Sequence, residues 1–237
     1  MPATPHGGSP SIQQPDYWWY QARSEMLHTV LGPYVGSPQR VLDVGSADGP
    51  SVGWLTATQK VSLDLDSRGL RPPTGVCGSV LALPFADAAF EVVGAFDVVE
   101  HCDPEDVALA ELRRVLEPAG RLLMSVPAYQ WAWSDHDVRA GHHRRYTQRR
   151  IVRAVEGAGL TVLRSTYGFA GVFPMFAAER VARRLRGRSA EPQGLPQVSP
   201  AMDRVLTGLS ATEARLLRKV DLPFGSSVFL AAEKPAR

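Results

Sequence analysis

The densest set of reactive side chains lies in one loop, between Trp131 and Tyr146. Imidazole, carboxylate and guanidinium groups at this density suit a general base, a metal site, a clamp for phosphate or carboxylate, or a structural ion-pair network. Metal binding by His136, Asp137 and His142 is not predicted, because their spacing leaves their geometry open. The candidates for substrate contact are His136, Asp137 and Arg145, and His142 is a candidate catalytic residue.

The same loop contains two consecutive arginines, Arg144 and Arg145. Guanidinium groups form planar forks that match phosphate and carboxylate, which would suit a sugar nucleotide or a lipid phosphate as acceptor. The two side chains could instead pair with Asp135 and Asp137. We expect one arginine to take each role.

A second reactive pair, Glu100 and His101, follows a strand predicted at residues 90–96. His101 could accept a proton from a hydroxyl group while Glu100 orients its ring. The pair could also serve only to position a cofactor. Both residues are therefore candidate catalytic residues, and the identity of the base stays open.

A glycine turn follows the first predicted strand, with the pattern Asp43-x-Gly45-x-x-x-Gly49. At the carboxyl edge of a parallel sheet, such a turn lets the backbone approach a nucleotide-type ligand. The pattern departs from the G-x-G-x-x-G fingerprint, so an NAD enzyme is not favoured. Asp64 closes the second strand about 20 residues after the turn, where a carboxylate can accept hydrogen bonds from both hydroxyls of a ribose.

Strands and helices must alternate to bring these groups to one edge, and the hydrophobic pattern predicts that they do. Strands are expected at residues 41–44, 61–65, 76–80, 90–96, 121–126 and 160–167, and helices at residues 17–31, 48–58, 104–116 and 147–158. This alternation predicts an α/β fold with a mainly parallel sheet covered on both faces. After a helical insertion at residues 168–224, a last strand at residues 226–232 is expected at the sheet edge.

The composition favours a single globular domain. The 237 residues are 44% hydrophobic and 21% charged, too apolar for a disordered chain and too polar for a membrane bundle. A net charge of +2 does not indicate a polyanionic partner, and two cysteines cannot build a disulfide framework. The N-terminus lacks the pattern of a signal peptide, which predicts a cytoplasmic protein.

Six segments, at residues 41–49, 63–66, 83–87, 90–93, 99–101 and 112–123, occur in an order and spacing that is informative as a set. Together they resemble the class I, Rossmann-like S-adenosylmethionine-dependent methyltransferases. The resemblance covers roughly residues 38–167, a usual length for a Rossmann-like core. It implies S-adenosylmethionine as cofactor and a seven-stranded, mostly parallel sheet with an antiparallel last strand.

In that family, the glycine turn holds the methionine end of the cofactor, the acid after the second strand binds the ribose, and the next residue packs on the adenine. Ala47 stands where a middle glycine is usual, which removes backbone freedom at positive φ. Ser79 stands where an aspartate often binds the adenine amino group, and it is a weaker acceptor. The resemblance implies cofactor contacts from Asp43, Gly45, Ser46, Ala47, Asp64, Leu65, Ser79, Val80 and Phe96.

An aromatic group begins the N-terminal helix. Its rings could cover a reacting sulfonium and exclude water, or they could pack onto the core. Together with an arginine and the loop at residues 131–146, they resemble a methyltransferase subgroup associated with glycolipid, polysaccharide or secondary-metabolite pathways. The candidate substrate contacts here are Trp18, Trp19, Tyr20 and Arg23.

The expected organisation is a flexible leader at residues 1–16 and a single methyltransferase domain at residues 17–237. Within the domain we expect a lid helix at residues 17–35, a cofactor-binding core at 38–167, the helical insertion at 168–224, and the last strand with its tail at 225–237.

The predicted function is methyl transfer to oxygen, nitrogen or carbon of a small-molecule or carrier-borne metabolite. An RNA methyltransferase would rest on arginine patches at residues 139–153 and 180–188, and without a nucleic-acid-binding module nucleic acid is not the favoured partner. The degenerate glycine turn leaves a noncatalytic cofactor-binding protein as a third alternative. The apolar, arginine-containing segment from residue 168 could touch an anionic membrane or roof the acceptor pocket.

Overall fold

A seven-stranded sheet forms the centre of the protein. The computed structural model describes residues 16–45, 52–70, 72–185 and 198–236. The strand order is β3-β2-β1-β4-β5-β7-β6; β1 to β5 pair in parallel, and β7 is antiparallel to both of its neighbours. The strands are β1 (Arg40–Val44), β2 (Gln59–Asp64), β3 (Gly75–Cys77), β4 (Phe90–Phe96), β5 (Leu116–Pro127), β6 (Thr161–Gly168) and β7 (Ser227–Glu233). This confirms the predicted Rossmann-like, mostly parallel sheet.

Helices flank the sheet and connect its strands. They are α1 (Trp18–Leu31), α2 (Glu105–Val115), α3 (Asp135–Ala140), α4 (Gln148–Gly157), α5 (Phe173–Leu185) and α6 (Pro200–Leu217). The predicted N-terminal lid helix corresponds to α1, and the predicted insertion contains α5 and α6. The leader, apart from Asp16, lies outside the described residues. Within the described ranges, no helix combines the length and apolar character needed to cross a membrane.

The sheet is buried on both faces because its central strands carry consecutive hydrophobic residues, whose side chains point in turn to one face and to the other. In β4, Val93 belongs to one hydrophobic cluster and Val92 to the other, and Leu122 and Leu123 of β5 divide in the same way. Helices α2 and α4 cover the first face, and α1 and α6 cover the second. Because β7 is the one described strand that runs against its neighbours, the other six strands end at the same edge of the sheet.

The prediction that the last strand returns to the sheet edge is wrong, because β7 lies between β5 and β6. Val228 and Leu230 pack into one cluster, while Phe229 and Ala231 pack into the other. A strand with apolar side chains on both faces is stabilised in the interior of a sheet. The outer position is taken by β6, whose first half carries exposed residues.

The prediction of a helix near residues 48–58 is wrong over residues 53–58, which form turns and irregular backbone. Residues 48–51 of that prediction lie outside the described residues. Glycine and threonine have low helix propensity, and residues 52–58 contain Gly53, Thr56 and Thr58. The segment is still anchored, because Val52 and Leu55 are buried in the cluster that covers the second face.

Candidate active site

The turn after β1 requires glycine. Gly45 has a φ of +72°, and its N–H donates to the Leu63 carbonyl at 2.7 Å. A Cβ at this position would lie 2.5 Å from Cγ2 of Val98, so no side chain fits. Asp43, two residues earlier, is fully buried and pairs with Nζ of Lys60 at 3.0 Å. The predicted cofactor contacts Ser46 and Ala47 lie outside the described residues.

Asp64 ends β2 at the same sheet edge. Its Oδ1 accepts a hydrogen bond from the Asp66 N–H at 2.8 Å, whereas its Oδ2 has no hydrogen-bond partner in the described part of the chain. The next residue, Leu65, is 76% exposed and presents an apolar surface beside this carboxylate. The two residues thus offer the polar and apolar contacts that a nucleoside needs.

The remaining predicted cofactor contacts lie around this edge with other partners. Oγ of Ser79 accepts from the Leu81 N–H at 3.2 Å, so the serine stabilises its own turn. Val80 is buried. Phe96, the last residue of β4, is also buried and packs against Trp54 with 6.0 Å between ring centroids. Its side chain is part of the core, and only its backbone lies at the edge.

Glu100, His101 and His142 form a cluster after β4. The first two lie in a short 3-10 helix, Val99–His101, and His142 follows α3. One potential ligand atom from each residue lies within 4.8 Å of the other two, and the two imidazole rings are 4.5 Å apart. The His143 N–H donates to the Glu100 carbonyl at 2.8 Å, which ties the loop to the end of β4. We call these three residues the Glu–His–His cluster.

Asp137, in α3, holds His142 in place. Its Oδ1 lies 2.8 Å from Nδ1 of His142, and Arg145 donates from Nε to Oδ1 at 2.7 Å and from Nη2 to Oδ2 at 3.0 Å. Burial raises the pKa of Asp137, but the hydrogen bonds from His142 and Arg145 outweigh it and hold that pKa well below its usual range. A charged carboxylate favours the tautomer of a neutral imidazole that carries its proton on Nδ1, and in that tautomer Nε2 has the lone pair.

Glu100 differs from Asp137 because it is buried without an ion pair or a hydrogen bond from another side chain of the described residues. Neither carboxylate oxygen receives a hydrogen bond from another described residue. Burial, followed by the charge of Asp97, raises the pKa of Glu100 well above its usual range. Partial desolvation of the ring by its neighbours, followed by the charge of the nearby His142, lowers the pKa of His101, although the residue is exposed overall. Glu100 was predicted to orient His101, but no hydrogen bond joins them, and Asp137 with His142 is the oriented pair instead.

A third polar group, which sequence reasoning missed in part, connects α1 to the sheet. Nη2 of Arg23 donates to Oδ2 of Asp97 at 2.7 Å and to Oγ of Ser125 at 3.2 Å, and Ser125 donates to Oδ1 of Asp97 at 3.0 Å. The Arg23 guanidinium also lies 5.7 Å from the centre of the Trp19 ring. No sequence signal singles out Asp97 or Ser125, because each follows ordinary apolar strand residues.

Three of the five described non-glycine residues with positive φ lie at this edge, and the other two, Ala88 and Ala119, lie near the amino ends of β4 and β5. Asp97, Tyr129 and Phe169 have φ values of +58°, +61° and +63°, and they follow β4, β5 and β6. Left-handed backbone costs a non-glycine residue of the order of 1–3 kcal/mol and tends to occur at functional sites. The three residues thus place strained backbone directly after each of these strands, beside the polar groups described above.

Aromatic rings line two sides of the edge. In the N-terminal group, Trp18 and Tyr20 are buried, whereas Trp19 is half-buried and stacks on Phe169 with 6.0 Å between centroids. The sequence missed a second group, the aromatic wall, in which rings from β6, α5 and the loop after β5 lie 5.4–6.1 Å apart. Its members are Tyr129, Trp131, Tyr167 and Phe173.

Both loop arginines have partners inside the protein. Arg145 pairs with Asp137, as described, and Arg144 pairs with Asp103 at 2.6 Å and Glu105 at 3.2 Å. We expected one of the two to bind an acceptor anion, and the structure instead gives both an internal carboxylate. His136 is exposed, and its ring lies 6.2 Å from that of His142.

Comparison with known proteins supports an assignment to a family. Residues 42–124 match a family model described as a methyltransferase domain. The malonyl-[acyl-carrier protein] O-methyltransferase of Erwinia billingiae (strain Eb661) is 32% identical over 143 residues, covering 54% of this chain and 57% of that protein. A protein of the same name from Herminiimonas arsenicoxydans is 39% identical over 94 residues, 36% of either chain. This chain thus matches well under two thirds of the length of either relative.

Solved structures share the fold across nearly the whole chain. The N-methyltransferase NodS from Bradyrhizobium japonicum WM9, solved with S-adenosyl-L-homocysteine, has a TM-score of 0.56 at 12% identity and covers 98% of this chain and 94% of its own. The strand order and the glycine turn after β1 are those of the class I, Rossmann-like methyltransferase fold, and residues 42–124 match a methyltransferase domain within it.

The residues present fit the family's cofactor. Oδ2 of Asp64, which receives no hydrogen bond from another described residue, suits a ribose hydroxyl, and the exposed Leu65 beside it suits the face of an adenine. Gly45 brings bare backbone to the same edge, which permits close approach of the methionine end. When bound, the cofactor supplies a methyl group on a positively charged sulfur.

Proposed function

We propose that the protein catalyses methyl transfer from S-adenosylmethionine to a small-molecule or carrier-borne metabolite. One observation supports this proposal most strongly: two groups of residues lie at the same carboxyl edge of the parallel strands. The first group is Gly45 with Asp64, and the second is the Glu–His–His cluster. A methyl donor and an acceptor bound at these two places would meet across the end of β4. Class I methyltransferase cores suit this use, but the fold alone does not specify the reaction.

The chain's own residues would orient the acceptor and accept its proton. Methyl transfer is a displacement at carbon whose barrier falls when the nucleophile and the methyl group are held in contact in a dry pocket. Nε2 of His142 is the candidate base, because Asp137 holds the opposite nitrogen at 2.8 Å. Trp19 and the aromatic wall would exclude water from the two sides of the edge.

The pairing of the loop arginines and the names of similar proteins both bear on the class of acceptor. Arg144 and Arg145 are engaged with Asp103, Glu105 and Asp137, so neither of these two arginines is a free clamp for a strongly anionic group. The similar proteins from E. billingiae and H. arsenicoxydans are named malonyl-[acyl-carrier protein] O-methyltransferases, and we take a carrier-borne or small metabolite as the acceptor. A glycolipid or secondary-metabolite intermediate belongs to the same proposal.

The first test is calorimetric titration of the protein with S-adenosylmethionine, S-adenosylhomocysteine and NAD. We expect binding of the first two and none of NAD. The variant Asp64→Ala should weaken S-adenosylmethionine binding by about 1–3 kcal/mol, because charge-assisted bonds to two hydroxyls are lost. Asp66→Ala is the matched control, since Asp66 pairs with Arg68 in the same turn and should leave the affinity unchanged. Equal affinities in both variants would refute the placement of the ribose.

The RNA alternative is less well supported by the contacts. In the first arginine patch, Arg144, Arg145 and Arg150 all pair with carboxylates of the same chain. Internal pairing reduces the charge available to a phosphate backbone. Cofactor binding together with a salt-sensitive shift of RNA mobility would favour this alternative, and cofactor binding without turnover of any acceptor would favour a noncatalytic protein.

A further inference from the structure

We propose that the Glu–His–His cluster binds one divalent transition-metal ion. The site consists of Glu100 and His101 after β4 and of His142 after α3. Metal binding itself stands on the geometry of these side chains. Only the use made of the ion rests on the proposed function.

The three side chains converge on one point. Their potential ligand atoms lie within 4.8 Å of one another, so each can reach an ion between them, at bond lengths of about 2.0–2.2 Å, after small side-chain rotations. Glu100 and His101 are neighbours in a short helix that is fixed by the end of β4. The third ligand is brought in by the bond between the His143 N–H and the Glu100 carbonyl.

Glu100 provides an independent sign of a missing cation. Its side chain is fully buried, faces the two imidazoles and lacks a hydrogen bond from any other described residue. A buried carboxylate needs a partner or must become neutral. The nearest acids are already compensated, because Asp137 pairs with Arg145 and Asp97 pairs with Arg23. Of these three acids around the cluster, Glu100 is thus the one whose carboxylate makes no ion pair with another described residue.

His142 has the support that metal-binding histidines show. Its Nδ1 lies 2.8 Å from Oδ1 of Asp137, which leaves Nε2 for an ion. A carboxylate behind the imidazole fixes the tautomer and raises the basicity of the ligand. Arg145 and the Ser134 N–H hold that carboxylate in turn, at 2.7 Å and 2.9 Å. The second shell is thus already in place.

The ligand set indicates which ions fit. Two histidines and one glutamate are a known set for catalytic zinc, and two histidines with one carboxylate also suit iron(II). Magnesium and calcium prefer all-oxygen sites. His101 is exposed, so the ion would keep an open position towards solvent. An acceptor could enter that position.

An ion here deepens the proposed function, because it would make an oxygen of the acceptor the atom that attacks the methyl group. It would bind a hydroxyl or carboxyl oxygen of the acceptor and favour loss of its proton to water. The oxygen lone pair then forms the bond to the methyl carbon while the carbon–sulfur bond breaks, its electrons staying on sulfur. In this case His142 is a ligand, and the base assignment above is replaced.

The test is calorimetric titration of the full-length protein with Zn²⁺ after removal of metal by a chelator. A Cys77→Ser background excludes binding by the exposed thiol. We expect one Zn²⁺ per chain and a higher melting temperature with Zn²⁺. Asp137→Asn should weaken binding about 10–100-fold, as second-shell changes do, and His101→Ala or Glu100→Gln should weaken it more. His143→Ala, beside the cluster, should bind as the parent does.

Two outcomes would overturn the proposal. The first is no stoichiometric Zn²⁺ binding by the parent, which would leave the base assignment of His142 standing. The second is Zn²⁺ binding that His101→Ala and Glu100→Gln leave unchanged. His101→Ala is informative even if Glu100→Gln unfolds, because the His101 side chain is exposed. Titration with S-adenosylmethionine is run separately, so failure of the cofactor proposal is distinguishable from failure of the metal proposal.

Discussion

The two halves of the functional edge are built in different ways. In the cofactor half, after β1 and β2, Gly45 and Asp64 are each positioned by the strand that they terminate. In the acceptor half, around the Glu–His–His cluster, side chains from α1, the end of β4 and the loop around α3 are held by contacts between distant residues. Arg23 and Asp97, for example, are 74 residues apart in sequence.

This difference teaches which substitutions each half tolerates. The cofactor half depends on backbone conformation, so it is sensitive to added atoms. The acceptor half depends on buried ion pairs, so it is sensitive to removed charges. We therefore expect substitutions in the two halves to differ in their effects on the free energy of unfolding and on cofactor binding.

The largest effect is expected for Asp137→Ala in the acceptor half. Removing this buried carboxylate leaves Arg145 without its partner and His142 without its orienting acceptor. Breaking a buried pair from one side costs about 3–5 kcal/mol in the free energy of unfolding, measurable by urea denaturation. Asp135→Ala in the same helix is the control and should cost less than 1 kcal/mol, roughly a surface change. Similar urea midpoints for the two variants would mean that Asp137 does not organise the loop.

Gly45→Ala tests the cofactor half. A Cβ there would lie 2.5 Å from Val98 at a φ of +72°, so both strain and a clash are expected. The control is Gly36→Ala, with a φ of +66° and open space around its Cβ. Left-handed backbone alone costs alanine about 1–2 kcal/mol. Gly45→Ala should therefore destabilise the protein more than Gly36→Ala, and it alone should weaken S-adenosylmethionine binding; equal effects would remove the close-approach role of Gly45.

A smaller effect is expected at the contact between α1 and the sheet. Arg23→Ala removes charge-assisted bonds to Asp97 and Ser125, and the free energy of unfolding should fall by about 1–2 kcal/mol, because Asp97 is partly exposed to solvent. Arg23→Lys keeps the charge but not the fork, so it should recover part of the loss. Thermal or urea unfolding measures both variants. Full recovery by lysine would show that charge alone holds α1.

The places of Gly45 and Asp64 in the fold could be predicted from the sequence because their determinants are local, and their contacts with a cofactor stay a prediction. A strand, a glycine turn and an acid at the end of the next strand can be recognised from neighbouring letters, and Gly45 and Asp64 were found in this way. The interior place of β7 also had a signal, since the unbroken apolar run from Val228 to Ala232 is typical of a strand buried on both faces.

The acceptor half could be predicted only in part, because partners there are chosen by tertiary contacts. His142, Asp137 and Arg145 were recognised as a chemically rich set, but their spacing does not show that Asp137 orients His142. The spacing also cannot show that Glu100 and His101 meet His142, since α2, β5 and α3 intervene. Asp97 and Ser125 carry no signal at all until the sheet brings them to Arg23.

The smallest expected effect concerns Asp66, next to the ribose-binding candidate. The side-chain and backbone hydrogen bonds from Arg68 lower the pKa of Asp66 to about 2. In Arg68→Ala, that pKa should rise towards the ordinary value of an aspartate, as followed by NMR titration. A lowered pKa favours the folded state only above the pKa of the unfolded chain, and this preference is lost as the pH falls through about 2. Because the pair lies at the surface, the melting temperature at neutral pH and the S-adenosylmethionine affinity should stay unchanged. A fall in affinity would show that the Asp66–Arg68 pair helps to hold Asp64 in position.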